Sequence, residues 1–328
     1  MTCLVISDAA LSNRRGWGFP IPGGIVRDLT PPRVSIVAKR YTAVAGLGSD
    51  SVINITDLFS RVKMESWPCL DTAHPDALDY QLALRRAFVN YGLPHRITLD
   101  HDSVFYDNIC ASPFPVVLHL WLIGLGVEVR FIDKPPPAEH SVIERSHQTI
   151  AQQAITGQRF SDETALRASV ADRLDFLNTR YPSRSLAGQP PLVAHPEARH
   201  SGRLYRLEWE EDLLDMQRVY DYLACGHWFR ESSSVGQLSL GSQRYGVGKA
   251  FANQTLEIAF NSETLEWTMQ SEDGQREINL PARGLTKAAL MGEISPLLAC
   301  SAYQLALPFS AAAWREMTLA NALTGTTL

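Results

Sequence analysis

The stretch "SVINITDLFSRVKMESWP" (residues 51–68) decides how the rest of the chain is read. Val52, Ile53 and Ile55 are β-branched residues in close succession, the bulk that suits a strand in the middle of a sheet. Upstream, "RVSIVAKRYTAVAG" (33–46) reads the same way, and the turn "GLGSD" (46–50) joins the two runs. Two strand-like runs in succession begin either a layered α/β unit or an all-β one, and the segments after residue 70 decide between them.

Those segments are helical. "HPDALDYQLALRRAFVNYGLP" (74–94) places Leu78, Leu82, Leu84, Phe88 and Val89 at helical spacing and stops at Gly92 and Pro94. "RITLD" (96–100) is a short strand ending in an acid. "FPVVLHLWLIGLG" (114–126) reads as a second helix and "VEVRFID" (127–133) as a short buried strand. Ser141 to about Gly157 is expected to be helical. So is 161–182, with Ser161 or Asp162 as its cap, because a short polar side chain there satisfies a free backbone N–H. Strands alternating with helices predict an α/β layer with a mixed sheet.

The texture changes near residue 200. "LYRLEWEEDLLDMQRVYDYLA" (204–224) reads as a polar helical connector. Short strands then recur between Gly, Asn and Asp-Gly turns: "HWFRESS", "GQLSLG", "QRYGVG", "TLEIAFN", "TLEWTMQ" and "REINLP". That spacing suits a small barrel or sandwich. The chain therefore divides into an irregular Gly/Pro-rich lead-in (1–32), an α/β core (33–200), a helical connector (201–225), a small β-barrel (226–285) and an Ala/Leu-rich tail (286–328).

Composition excludes several classes and leaves the partner open. The 328 residues are 45% hydrophobic with a net charge of -5, and the mean hydropathy is -0.10. The five cysteines are scattered without a CxxC pair, which predicts free thiols in a reducing cytoplasm. No apolar run reaches the roughly 18 residues a membrane span needs. At the N-terminus the apolar run precedes the arginines, the wrong order for a secretory signal. Arg supplies all but five of the 30 basic residues, and Arg is the better fork for phosphate.

Four segments in order, "VINITDLFSRVKMESWP", "AFVNYGLPHRITLDHDSVF", "LHLWLIGLGVEVRFI" and "HSVIERSHQTI", resemble the catalytic core of DDE transposases and retroviral-type integrases. The resemblance covers about half the chain, residues 33–195. It extends to "LNTRYPSRSLAGQPPLVAHP" (177–196), similar to the segment after that core. The strands at 226–285 are similar to the small barrel that comes next in many bacterial insertion-sequence transposases. The resemblance implies an RNase H-like fold, a mixed five-stranded sheet flanked by helices. It also implies metal-dependent phosphoryl transfer that cleaves and joins DNA, with three carboxylates holding two Mg²⁺ or Mn²⁺ ions. DNA is then the partner, alongside a homo-oligomer or an intact transposase.

The resemblance points to two ligands. Asp100, at the end of "RITLD", falls at the family's second acid, and Glu144, in "SVIERSHQT", at its third. Asp100 also reads as the start of an Asx turn. Ser141 to Glu144 also fits a capping box, in which a hydroxyl and a Glu three residues on satisfy the first backbone N–H groups of a helix. Capping and ligation are compatible, since both put Glu144 in the first helical turn. Lys134, Arg145 and His147, with Arg130, are candidates to track a DNA backbone. His140, Glu144 and His147 share a helical face but lack the HExxH order of a zinc site. "DHDSVFYDN" has Val104 and Phe105 where an EF-hand needs a ligand and a Gly.

The first acid is missing. In the family it stands about twenty positions before the Asp of the second strand. Counting back from Asp57 gives Val37, succeeded by Ala38 and Lys39 as the family phrase requires. Valine cannot ligate a cation, so impaired catalysis is expected. Asp57 belongs to the neighbouring strand and Asp28 has no defined place, so neither is expected to substitute. The family's helix-turn-helix modules are also not found ahead of residue 33, which reads as a shortened N-terminus.

Overall fold

The computed structural model describes residues 33–44, 48–70, 72, 74–99, 104–105, 112–131, 145–146, 148–292 and 294; for 33–44 and 48–50 it describes the backbone. Five strands form the first sheet: β1 (Arg33–Val44), β2 (Gly48–Asp57), β3 (Lys63–Cys69), β4 (Arg96–Leu99) and β5 (Glu128–Phe131). Their order is β3-β2-β1-β4-β5. β1, β2 and β3 run antiparallel, whereas β4 is parallel to β1 and β5 parallel to β4. A meander and then two crossovers make the mixed five-stranded sheet expected of an RNase H-like core.

The stretch 51–68 is a hairpin and not the single run read from sequence. Asp57 breaks it: its carboxylate accepts from the N–H of Phe59 (3.0 Å) and Ser60 (3.4 Å) and from Ser60 Oγ (2.5 Å). Its backbone N–H donates to the carbonyl of Val62 at 2.9 Å, and its carbonyl accepts from Arg61 N–H at 2.9 Å. Arg61 takes a left-handed conformation (φ 66) to close the turn. An Asx-type turn of this kind leaves the apolar alternation on either side uninterrupted, so periodicity alone does not reveal it.

Strand alternation sends successive side chains to opposite faces, and both faces of β2 are covered. Ile53 and Ile55 belong to the large core, which includes Ala83, Leu84, Ala87 and Phe88 of α1 (Ala77–Tyr91) and Leu118, Trp121 and Leu122 of α2 (Val117–Gly124). Val52 belongs to a second cluster with Ile150, Ala154 and Ile155, and with Leu166, Val170, Leu174 and Leu177 of α3 (Glu163–Thr179). Asp162 caps α3 through Ala165 N–H, one of the two caps expected. Near its other end, Asn178 donates to the Lys63 carbonyl (2.8 Å) and accepts from its N–H (2.9 Å), tying α3 to the first residue of β3. The helix expected from Ser141 is seen at 145–146 and 148–150 and continues as a π-helical turn over Ala151–Ile155; its capping box lies outside the described residues.

Strand β5 corrects a second expectation. It forms an edge of the sheet, with Glu128 and Arg130 exposed and Val129 and Phe131 only partly covered. Glu128 there accepts from both Arg96 and Arg130 at 2.8 Å.

All six strands expected beyond residue 225 are present: β6 (His227–Glu231), β7 (Gln237–Leu240), β8 (Gln243–Gly246), β9 (Thr255–Asn261), β10 (Glu266–Ser271) and β11 (Glu277–Pro281). They make a four-stranded antiparallel sheet, β11-β10-β9-β6, and a separate hairpin, β7-β8. Phe114, just before α2, packs edge-on against Trp228 (5.0 Å) and Trp267 (5.6 Å), so one continuous core joins these strands to the first sheet.

A buried polar knot reinforces that junction. Glu210 accepts from Arg85 Nε (2.8 Å) and Nη2 (2.7 Å), from Trp121 Nε1 (2.9 Å) and from Tyr205 Oη. Arg85 Nη2 also donates to the carbonyl of Met291 (2.6 Å), in the helical turn Lys287–Met291. Arg85 and Glu210 are both fully buried. Such a pair survives because each ion is neutralised and nearly all its hydrogen-bonding groups are used.

Candidate catalytic site

The register of β1 against its neighbours defines where a site of the expected kind would lie. Ser35 pairs with Thr98 of β4 on one side and with Thr56 of β2 on the other. β4 ends at Leu99, one residue beyond Thr98. Val37, paired with Asn54, stands two residues beyond Ser35 on the parallel strand. The carboxyl end of β4 therefore lies beside the middle of β1, at the level of residue 37.

Helix 145–150 approaches the same level. Ser146 is buried and its Oγ lies 3.4 Å from Thr56 Oγ1. A line of four residues, Ser146, Thr56, Ser35 and Thr98, thus crosses from the helix over β2 and β1 to β4. On the same stretch of β2, buried Asn54 accepts a hydrogen bond from Ser66 Oγ at 2.7 Å. Sequence reasoning did not single out Thr56, Asn54, Ser66 or Ser146. The usable signal was polar residues at alternating positions of a strand that otherwise reads as core, in "VINIT".

Of the residues singled out from sequence, Asp100, Lys134, Glu144 and His147 lie outside the described residues. Arg145 is described: it is exposed on the helix, and its carbonyl accepts from Thr149 Oγ1 at 2.8 Å. Arg130 is on the β5 edge, engaged with Glu128. Asp28 lies outside the described residues. Asp57 sits at a different level of the sheet from Val37. It pairs with Val34, three residues short of Val37, and its carboxylate is used within its own turn.

Magnesium or manganese needs several oxygen ligands gathered around one point. Position 37 offers none, Asp57 is committed elsewhere, and among the described residues no three His, Cys, Asp or Glu side chains come together. Among the described residues, the donor set at this level of the sheet does not make up a three-carboxylate cage. Instead the described groups around it are hydroxyls, an amide and a cation. Lys63, paired with Thr56, is half-buried, and burial, then the charge of Arg61, lowers its pKa to about 8.

No family model matches the chain. Among solved structures it is similar to the BIV integrase catalytic core domain, at 13% identity over 51% of this chain and 95% of that one, with a TM-score of 0.38. It is also similar to the HTLV-2 integrase catalytic core domain in complex with magnesium, at 13% identity over 50% and 97%, TM-score 0.36. A third likeness is to the simian T-cell lymphotropic virus intasome in complex with a PP2A regulatory subunit, at 10% identity over 80% of each chain, TM-score 0.40. At these identities and scores the likenesses add nothing to the fold that strand order and register already define. Among the described residues no helix is long and apolar enough to cross a membrane.

Proposed function

We propose that this chain is a transposase- or integrase-like protein of the DDE type, built for DNA integration and transposition, and that Val37 has cost it the first of its three metal ligands. The observation that carries the reading is the β1–β4 register. Asp100 is one peptide bond from Leu99, and consecutive Cα atoms are about 3.8 Å apart. This connectivity supports a position for Asp100 near residue 37. Glu144 is two residues from Ser146, whose hydroxyl meets β2 at the same level. The placement of both acids is thus supported by their described neighbours, and the choice of Val37 as the lost acid by the same register.

Within this reading Asp100 and Glu144 are the surviving ligands for Mg²⁺ or Mn²⁺, ions that would supply the charge stabilisation of phosphoryl transfer. With position 37 apolar, no chemical step through those ions is assigned to this chain. The same observation favours a second role, a DNA-binding remnant or regulator that occupies ends or pairs with an intact transposase. The reading divides the chain into a core (33–200), a connector (201–225) and a small barrel (226–285), and makes it a cytoplasmic, DNA-bound oligomer. Lys134, Arg145 and His147 are the proposed backbone contacts.

The test is a strand-transfer assay with Mn²⁺, comparing the chain as it stands with Val37→Asp and with Val37→Asp/Glu144→Gln. Gain of joining in the first variant and its loss in the second supports a decayed triad. Equal joining by the unmodified chain and Val37→Asp would show that the first ligand lies elsewhere.

A further inference from the structure

Lys63 opens β3 directly after the Asp57 turn. Its backbone is fully occupied, because Asn178 takes both its N–H and its carbonyl. Its ammonium has no hydrogen-bond partner among the described residues. Lys63 is half-buried, and among the described residues no carboxylate pairs with it. Arg61, two residues away and held with φ 66, has no ion-pair partner among the described residues either. Glu65, the nearest acid in sequence to Lys63, pairs with Arg86 at 2.9 Å, and Asp57 spends its carboxylate on Phe59 and Ser60. Arg61 is also the neighbour whose charge, after burial, lowers the Lys63 pKa.

A lysine removed from water beside a second cation is unfavourable unless an anion joins them. The strand partner of Lys63 is Thr56, whose hydroxyl lies beside that of Ser146. Arg61, Lys63 and Thr56 therefore share one end of the β2-β3 hairpin, with Ser146 Oγ against Thr56 and the Lys63 backbone tied to α3 through Asn178. Lysine serves phosphate as a compact point charge, and hydroxyls complete the donor set.

We infer that Arg61 and Lys63 form an anion subsite that takes a phosphate of a nucleic-acid backbone, with the Thr56 and Ser146 hydroxyls at its margin. The need for an anion comes from two cations that have no carboxylate partner among the described residues. The assignment to nucleic acid rests on the proposed function, since Thr56 is the β2 partner of Ser35, beside the end of β4.

The test uses the whole chain with Lys ¹³Cε resonances monitored by NMR; five lysines make the assignment tractable. A short DNA duplex should raise the Lys63 pKa by a unit or more. Orthophosphate at the same phosphate concentration should raise it less. In DNA-binding titrations Lys63→Met should shrink the salt slope by about 0.9, one phosphate contact, and Lys63→Arg should restore it. A Lys63 titration unchanged by duplex, with an unchanged slope in Lys63→Met, would overturn the subsite. An orthophosphate effect equal to that of duplex would overturn the nucleic-acid assignment. Strand transfer gained by Val37→Asp while the Lys63→Met slope stays unchanged would leave the proposed function standing and remove the subsite alone.

Discussion

Asp57 shows how a single residue can look like a site and be a hinge. Its carboxylate closes the β2-β3 turn through three hydrogen bonds. Asp57→Ala should therefore destabilise the fold by about 1–3 kcal/mol, the cost of unpairing buried donors, with no change in Mn²⁺ binding; urea unfolding and a metal titration check the two halves. His119 is a different case. It sits on α2 between Phe131 and Tyr222, buried, and its pKa is lowered by desolvation to about 4. Its folded pKa lies below the unfolded value of about 6.5, so its contribution is fully present above that pH and is lost as pH falls toward 4. Each unit in that window removes about 1.4 kcal/mol. Unfolding free energies at mildly acidic and mildly alkaline pH should differ less in His119→Phe than in the unmodified chain. The burial of His119 was not legible in sequence, where it only interrupts an apolar run. Val37 was singled out by counting, and the Mn²⁺-binding comparison below tests that count.

Elements were easier to read than their joins. The helices and the six late strands were legible from period and turn chemistry, because Gly, Asn and Asp-Gly punctuate them. The β2-β3 turn escaped because Asp57-Leu58-Phe59 keeps an apolar texture through the bend. β5 was read as buried because "VEVRF" has β-branched bulk, yet it forms an edge where Glu128 and Arg130 face solvent. Gly92 marks another join. It ends α1 with φ 76 and ψ 171, a region essentially confined to glycine. A Cβ there would lie 2.6 Å from the Arg203 carbonyl and 2.5 Å from Ser201 Oγ. Gly92→Ala should cost at least about 1–3 kcal/mol in backbone strain alone, with the segment at 200–203 displaced. A lowered thermal midpoint and faster amide exchange at Leu93, whose N–H donates to Arg203, would register it.

Across the whole molecule, the Arg85–Glu210 pair joins groups 125 positions apart, a separation no local pattern reveals. Arg85→Met leaves Glu210 buried with, among the described residues, Trp121 and Tyr205 as its remaining side-chain donors, and should cost about 3–5 kcal/mol. Arg85→Met/Glu210→Leu should recover part of that loss, as read by denaturant midpoints. The central claim is also long-range: that position 37 has lost the acid that would complete a metal site with Asp100 and Glu144. Mn²⁺ binding monitored by electron paramagnetic resonance tests it without DNA or catalysis. Val37→Asp should bind Mn²⁺ at least about tenfold more tightly than the unmodified chain, and adding either Asp100→Asn or Glu144→Gln should abolish the gain. Affinity unchanged by Val37→Asp, or a gain indifferent to Asp100 and Glu144, would contradict the account.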